Sequence, residues 1–250
     1  MADSAGASPA DQRLPPGIGG RPAPAHQIRA LLMGAGVGSS SSRSPYPPFG
    51  WGCGVVVLAA GAGQRMGRPK QLLPWQGKPL LLHQLEQAFH ARPEVVSVVL
   101  GAHAELCRPL VAPYPVLLID HAGWAAGMGS SIARGVGETL RLRPHLRRIV
   151  LLPVDMPFVT SELLRQIMML GAETGQPVAC RYESGFGPPT LFPQPFFEAL
   201  QGLKGKAGAR ALLKPHLEQV QWVDFPLGHL DLDTPEDYRR GLDMLPPQIP

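Results

Sequence analysis

Between residues 58 and 70 the chain reads LAAGAGQRMGRPK, with Gly61, Gly63 and Gly67 interleaved with or followed by Arg65, Arg68 and Lys70. The run that leads into it, GVVVLAAG (54–61), is β-branched and ends in glycine, as a buried parallel strand does. Glycines at the carboxyl end of such a strand let backbone amides approach an anion, and nearby cations neutralise it. Arg65 can grip phosphate oxygens in a bidentate way, and Lys70 can act as a point charge. Three cations on one turn suit a triphosphate better than a monoester; a solvated basic loop over a tight turn is the bland alternative. Two familiar phosphate loops do not fit. The dinucleotide fingerprint requires G-x-G-x-x-G, whereas the spacing here is G-x-G-x-x-x-G, and the next strand, VVLGAHAE, carries no acid at its tip. The Walker loop fails because Met66 and Arg68 stand where its second glycine belongs.

Attack by one phosphate on another brings anions together, so the chemistry is mostly positioning and charge neutralisation. Mg²⁺ held by one or two carboxylates and substrate oxygens would supply the charge. Asp155 is the first candidate: it ends the apolar run RRIVLLPVDMPF (147–158), where ligand crevices of α/β sheets lie, and Pro157 then fixes the turn. The segment HLDLDTPEDY offers Asp231 and Asp233, two apart and on one side of an extended chain. Thr234, Pro235 and Glu236 read as a capped helix start, a sufficient structural reason for them. In WAAGMGSSIARG, Gly127 and Gly129 let the backbone near a base or ribose, while Ser130 and Ser131 lie at a helix N-terminus, suited to capping it. Trp124 suits stacking and simple packing equally. GKAGARALL repeats the opening theme with Lys206 and Arg210, fit either to receive an acceptor's phosphate or to stand solvated at a helix start. His103, His121 and His229 lack metal-ligand spacing and read as surface or supporting groups.

The elements that must position these groups alternate. Strand candidates are 54–61, 94–101, 114–120 and 147–158, the last running straight into an Asp and a Pro; helix candidates are 79–91, 128–140 and 160–173, the last capped by Thr160 or Ser161. That alternation predicts a mainly parallel α/β sheet covered on both faces. RYESGFGPPTLFP (181–193) is rich in glycine and proline and reads as a flexible wall around a bulky acceptor. Residues 1–50 hold 8 Pro, 8 Gly and 7 Ser and read as a disordered tail, leaving 51–250 for the domain. At 250 residues and 44% hydrophobic content, the chain can bury one good core. Its three cysteines form no CxxC pair, which suits a reducing compartment such as the cytoplasm. A net charge of +4 without a Lys/Arg run argues against nucleic acid, and no apolar run approaches the ~20 residues of a membrane span.

At this point the sequence resembles a family, the MobA-like NTP transferases, which condense an NTP with a phosphate and release pyrophosphate. Their pattern L-A-A-G-x-[GS]-x-R-[ML]-G, then a lysine, is matched at Leu58, Ala59, Ala60, Gly61, Gly63, Arg65, Met66, Gly67 and Lys70. GWAAGMGSSIARGV (123–136), LLPVDMPFV (151–159), GKAGARALL (205–213) and DLDTPEDY (231–238) extend the resemblance over roughly residues 54–245. The block W-x-x-G-M-G-S-S is most similar to the molybdenum cofactor cytidylyltransferase branch. The resemblance implies a Rossmann-like three-layer nucleotidyltransferase fold with catalytic Arg65, Lys70 and Asp155. It implies nucleotide contacts at Leu58, Ala59, Ala60, Gly61, Gly63, Arg65, Lys70, Gly127, Ser130 and Ser131. It also implies Mg²⁺ on Asp155 and on Asp233, since the family's second ligand matches the Asp just before the Thr, with Asp231 as the rival. Lys206 and Arg210 would meet the acceptor. CTP and a molybdopterin-type phosphate would be the substrates, with a molybdoenzyme or its maturation chaperone as recipient. The Leu-Ala-Ala-Gly form is associated with cytidylyl transfer and Leu-Ala-Gly-Gly with guanylyl transfer. One departure is Gly187-Pro188-Pro189, where that branch reads G-H-P, so no acceptor contact is assigned there. GTP as donor, a sugar or polyol phosphate as acceptor, and a non-catalytic nucleotide binder remain the alternatives.

Overall fold

A seven-stranded sheet runs through the molecule, and its central strand is built from the valine run that leads into the glycine turn. The computed structural model describes residues 50–183 and 185–245, so the tail expected over 1–50 lies, but for its last residue, outside the described residues. In chain order the elements are β1 (Gly50–Ala59), α1 (Leu80–His90), β2 (Pro93–Leu100), α2 (Ala104–Val111), β3 (Leu117–Asp120) and α3 (Met128–Leu142). They continue with β4 (Arg148–Pro153), α4 (Ser161–Thr174), β5 (Val178–Tyr182), β6 (Gly185–Pro193), α5 (Phe197–Gln201), α6 (Arg210–Leu213), β7 (Gln221–Asp224) and α7 (Pro235–Asp243). The sheet order is β3-β2-β1-β4-β6-β5-β7, and β6 alone runs antiparallel to its neighbours.

Because alternate side chains of a strand face opposite ways, β1 feeds two cores. Val55, Val57 and Ala59 pack with Leu81 and Leu85 of α1 and Leu164 and Ile167 of α4. Val56 and Leu58 pack on the other side with Ile132 and Val136 of α3 and Leu200 of α5. All these side chains are buried, which is why the strand reads as a continuous apolar run rather than an alternation. The result is the expected three-layer, Rossmann-like arrangement with a mainly parallel sheet. A third, smaller cluster gathers Met66, Leu73, Trp75, Leu80 and Leu232 beneath the glycine turn. It ties a two-strand hairpin (Pro74–Trp75 with Lys78–Pro79) to the segment before α7.

Two local expectations are corrected. The stretch 181–193, expected as a flexible wall, is instead the end of β5 and the whole of β6, inside the sheet. Its prolines are accommodated because the β5–β6 ladder breaks register between Val178 and Cys180, where Pro188 and Pro189 sit opposite, and a ladder irregularity tolerates a residue without an N–H. Nor do the serines of GMGSS cap α3. The helix starts at Met128 with Gly127 as its N-cap and no side-chain cap bond, so Ser130 lies inside the first turn. There its hydroxyl donates back to the Gly127 carbonyl at 2.7 Å.

Candidate active site

The carboxyl ends of β1 and β4 open into a cavity of about 490 Å³, a size suited to a nucleotide. The chain leaves β1 through Ala60–Gly63 and makes two short 3₁₀ turns, Gln64–Met66 and Lys70–Leu72. Gly63 is required at the bend: its φ is 64°, and a Cβ there would lie 2.7 Å from the Arg68 carbonyl oxygen. The second turn folds Lys70 back over the end of β4. Its Nζ donates to Asp155 Oδ2 at 2.9 Å and also to Asp233 Oδ1, while Arg65 Nη2 reaches Asp233 Oδ2 at 2.7 Å. Four residues separated by up to 168 positions thus meet at one point, and all line the cavity.

The local sequence explains how the acids are held. Leu232, fully buried against the Trp75 cluster, donates its amide to the Asp155 carbonyl at 2.9 Å. The Asp233 amide closes a tight turn onto the Asp231 carbonyl at 2.9 Å, and of the two acids Asp233 lines the cavity. Thr234 then begins α7 with a capping box completed by Asp237, and Pro235 is the first helical residue. The site is electrostatically tense. Burial acts to lower the Lys70 ammonium's pKa, but the Asp155 charge and hydrogen bonds to both carboxylates outweigh it and hold it above its ordinary value. Asp231 retains an exposed edge, yet desolvation and then the charges of Asp155 and Asp233 raise its carboxyl to about 7, with Lys70 pulling the other way. A bound divalent cation would reverse that balance.

Of the other anticipated residues, Leu58, Ala60, Gly61, Gly127 and Ser131 also line the cavity. The Ala59 side chain does not; it sits in the core on the far face of β1. Ser130 is not brought to the cavity wall and bonds instead to His121 Nε2 at 2.9 Å. Trp124 lines the cavity and also packs on the α3-side core. Lys206 and Arg210 lie outside the cavity. The loop that carries Lys206 is nevertheless locked to the site: Gly129 donates to the Gly205 carbonyl at 2.9 Å, and Gly127, at φ 114°, has that same oxygen 2.6 Å from where a Cβ would be. Arg210 stacks on the Phe186 ring of β6, 4.4 Å from its centre.

Gln71 was not singled out from sequence, and His103 was read there only as a surface or supporting group. Gln71 is 1% exposed and donates to the carbonyls of Ala59 and Gly61 at 2.6 and 2.9 Å. His103 approaches the Ala62 carbonyl at 3.0 Å through Nε2. The faint signal for Gln71 was a polar residue next to the apolar run LLPW; for His103 it was a lone imidazole just past a strand tip.

Two carboxylates sharing one ammonium are also the donor set a hard divalent cation takes together with substrate oxygens. No group of three or more His, Cys, Asp or Glu side chains among the described residues forms a ready cage, so the substrate would have to complete the shell. No helix among them is long and apolar enough to cross a membrane.

Nicotine blue oxidoreductase of Paenarthrobacter nicotinovorans is 32% identical over 202 residues, covering 75% of this chain and 95% of that protein. The molybdenum cofactor guanylyltransferase of Pseudomonas putida is 33% identical over 176 residues, covering 69% of this chain and 86% of that protein. Matches to the bifunctional protein GlmU are partial; the chain spans about a quarter of their length, as with the 36% identical protein of Halorhodospira halophila. Among solved structures, Rv0371c of Mycobacterium tuberculosis H37Rv superposes with a TM-score of 0.66 at 31% identity, covering 77% of this chain and 99% of that one. A structure of Rv0371c in complex with manganese matches at a TM-score of 0.63 and 30% identity, covering 77% and 99%. The MobA-like NTP transferase domain matches residues 55–220, from the middle of β1 to the residue before β7, a span that holds the glycine turn, Lys70 and Asp155. The chain belongs to the MobA-like NTP transferase family of nucleotidyltransferases.

Proposed function

We propose that the protein moves CMP from CTP to the phosphate of molybdopterin, releasing pyrophosphate, with Mg²⁺ held by Asp155 and Asp233. The observation that carries this reading is the Lys70 bridge between those two carboxylates at the wall of a nucleotide-sized cavity. An acceptor phosphate oxygen attacks the α-phosphorus, the bond from that phosphorus to the bridging oxygen breaks, and pyrophosphate departs with the electron pair. Lys70 and Arg65 bind and neutralise the triphosphate; Asp155 and Asp233 are the residues that would hold the cation. Bound there, Mg²⁺ would offset charge on the phosphate oxygens. Asp233 is preferred to Asp231 because it lines the cavity and shares Lys70 with Asp155. Lys206 and Arg210 would receive the acceptor, the first on a loop tied to Gly127 and Gly129, the second braced on Phe186. The described residues other than Gly50 fall within the span 51–250 read as the transferase domain, and the manganese complex of Rv0371c supports a divalent cation in a relative of this fold.

The choice of cytosine rests on Ala60. Ala60 lines the cavity and its methyl packs close to Gly101, and a glycine in its place would leave more room at that wall. The guanylyl alternative has the Pseudomonas putida relative on its side. Single-turnover transfer to molybdopterin with each of the four NTPs decides between them. CTP should exceed GTP by roughly 10- to 200-fold in kcat/KM, the range a packing difference supports. Equal rates would end the cytidylyl reading. No transfer with any NTP would move the acceptor to a sugar or polyol phosphate.

A further inference from the structure

Along the turn that leaves β1, every carbonyl from Ala59 to Gly63 is occupied from within the protein. Gln71 Nε2 donates to Ala59 and Gly61 at 2.6 and 2.9 Å, and the Ala102 amide donates to Ala60 at 3.0 Å. His103 Nε2 lies 3.0 Å from the Ala62 carbonyl and must donate, since a carbonyl only accepts. The amides of Met66 and Gly67 take the Gly63 carbonyl at 3.0 and 3.2 Å. In contrast, the amides of Ala60, Gly61, Ala62 and Gly63 donate to no partner among the described residues. All four residues line the cavity. A trans peptide is planar with its N–H opposed to its C=O, so holding a carbonyl on one side turns the following amide to the other.

We propose that Gln71 and His103 are positioning residues that hold the carbonyls of Ala59, Gly61 and Ala62 away from the cavity and so aim the amides of Ala60, Ala62 and Gly63 at a polyphosphate. This rests on the nucleotide site proposed above. A row of fixed amides is an anion-binding device that costs no reorganisation when charge develops. The state of Gln71 is a second, independent observation. Both its amide hydrogens are used, and its Oε1 is buried without a partner, because the reverse orientation would set that oxygen against two carbonyls. An orphaned buried acceptor is destabilising, so the side chain is held at the expense of stability for the geometry it imposes. Neither residue touches the substrate; each acts through the backbone.

The test uses inorganic pyrophosphate as a probe of the amides and cytidine as a control that lacks phosphate. Gln71→Met and His103→Phe should each weaken pyrophosphate binding by about tenfold or more in calorimetry, as loss of one oriented hydrogen bond implies. Cytidine affinity should stay within about twofold, and His103→Gln, which keeps a donor, should recover pyrophosphate binding. Unchanged pyrophosphate affinity in folded Gln71→Met and His103→Phe overturns the proposal. Should a variant fail to fold, the full-length wild-type chain carries the test: on adding pyrophosphate, the ¹⁵N–¹H resonances of Ala60, Ala62 and Gly63 should shift most. Binding that leaves those three unmoved contradicts the proposal while sparing the nucleotide site. Wild-type protein that binds no pyrophosphate at all overturns both.

Discussion

Replacing Lys70 by methionine isolates the charge at the centre of the site. The substitution keeps the length of the side chain but removes the ammonium that joins Asp155 to Asp233. The Lys70 side chain is 14% exposed and its partners 23% and 30%, so the pair lies between the buried and the surface limits. Breaking a buried pair by deleting one member costs about 3–5 kcal/mol, and a surface pair about 0–1. The intermediate burial here places the loss at about 1–3 kcal/mol. For a domain of this size that is a fall of about 2–4 °C in Tm per kcal/mol. Scanning calorimetry with and without MnCl₂ would read it. The cation supplies the missing positive charge, so it should raise the Tm of the variant more than that of the wild type. Nucleotidyl transfer should remain down by about a hundredfold or more, the scale of losing one preorganised charge contact. A Lys70→Met protein that melts within about 1 °C of wild type in the absence of the cation would refute the idea that this ammonium holds the two carboxylates together.

Two further outcomes follow from the geometry. His83 donates through Nε2 to the buried Pro157 carbonyl at 3.1 Å, and burial lowers its pKa below the ordinary 6.5. The unfolded chain therefore binds the proton first, so His83 stabilises the fold above about pH 6.5 and that contribution is lost as pH falls. Melting curves from pH 8 to 5 should fall more steeply for wild type than for His83→Gln, and parallel curves would contradict this. Ala60→Gly should narrow the preference for CTP over GTP, within the roughly 10- to 200-fold that packing alone can provide. An unchanged ratio of kcat/KM would remove Ala60 from base selection.

Much of this was legible in the sequence, for identifiable reasons. The β1 run, the glycine turn and the strand-end Asp155 declare themselves because a two-faced buried strand and its terminal turn leave a local record in residue type. Capping residues placed α4 and α7 in the same way, through Thr160 and Thr234. What was not legible depends on contacts distant in sequence. Strand β6 hides among prolines because a partner's register break, invisible locally, makes room for them. The serines of GMGSS resemble a cap, yet Gly127 takes that place because only a residue without Cβ fits under the Gly205 carbonyl. Gln71 and His103 act through backbone carbonyls, and no pattern of side-chain types announces a residue whose partner is a main chain 10 or 41 positions away.

In the proposed reaction a nucleotidyl group, and not a phosphoryl group, is transferred at the Lys70–Asp155–Asp233 cluster. Parallel reactions with CTP labelled at the α- or the γ-phosphate, molybdopterin and Mg²⁺ test it directly. The expected result is α-label in a phosphatase-resistant dinucleotide, γ-label in pyrophosphate at equal yield, and loss of both in an Asp155→Asn protein that keeps its circular dichroism spectrum. Release of γ-label as orthophosphate without α-label in a product, or full transfer by Asp155→Asn, would contradict it.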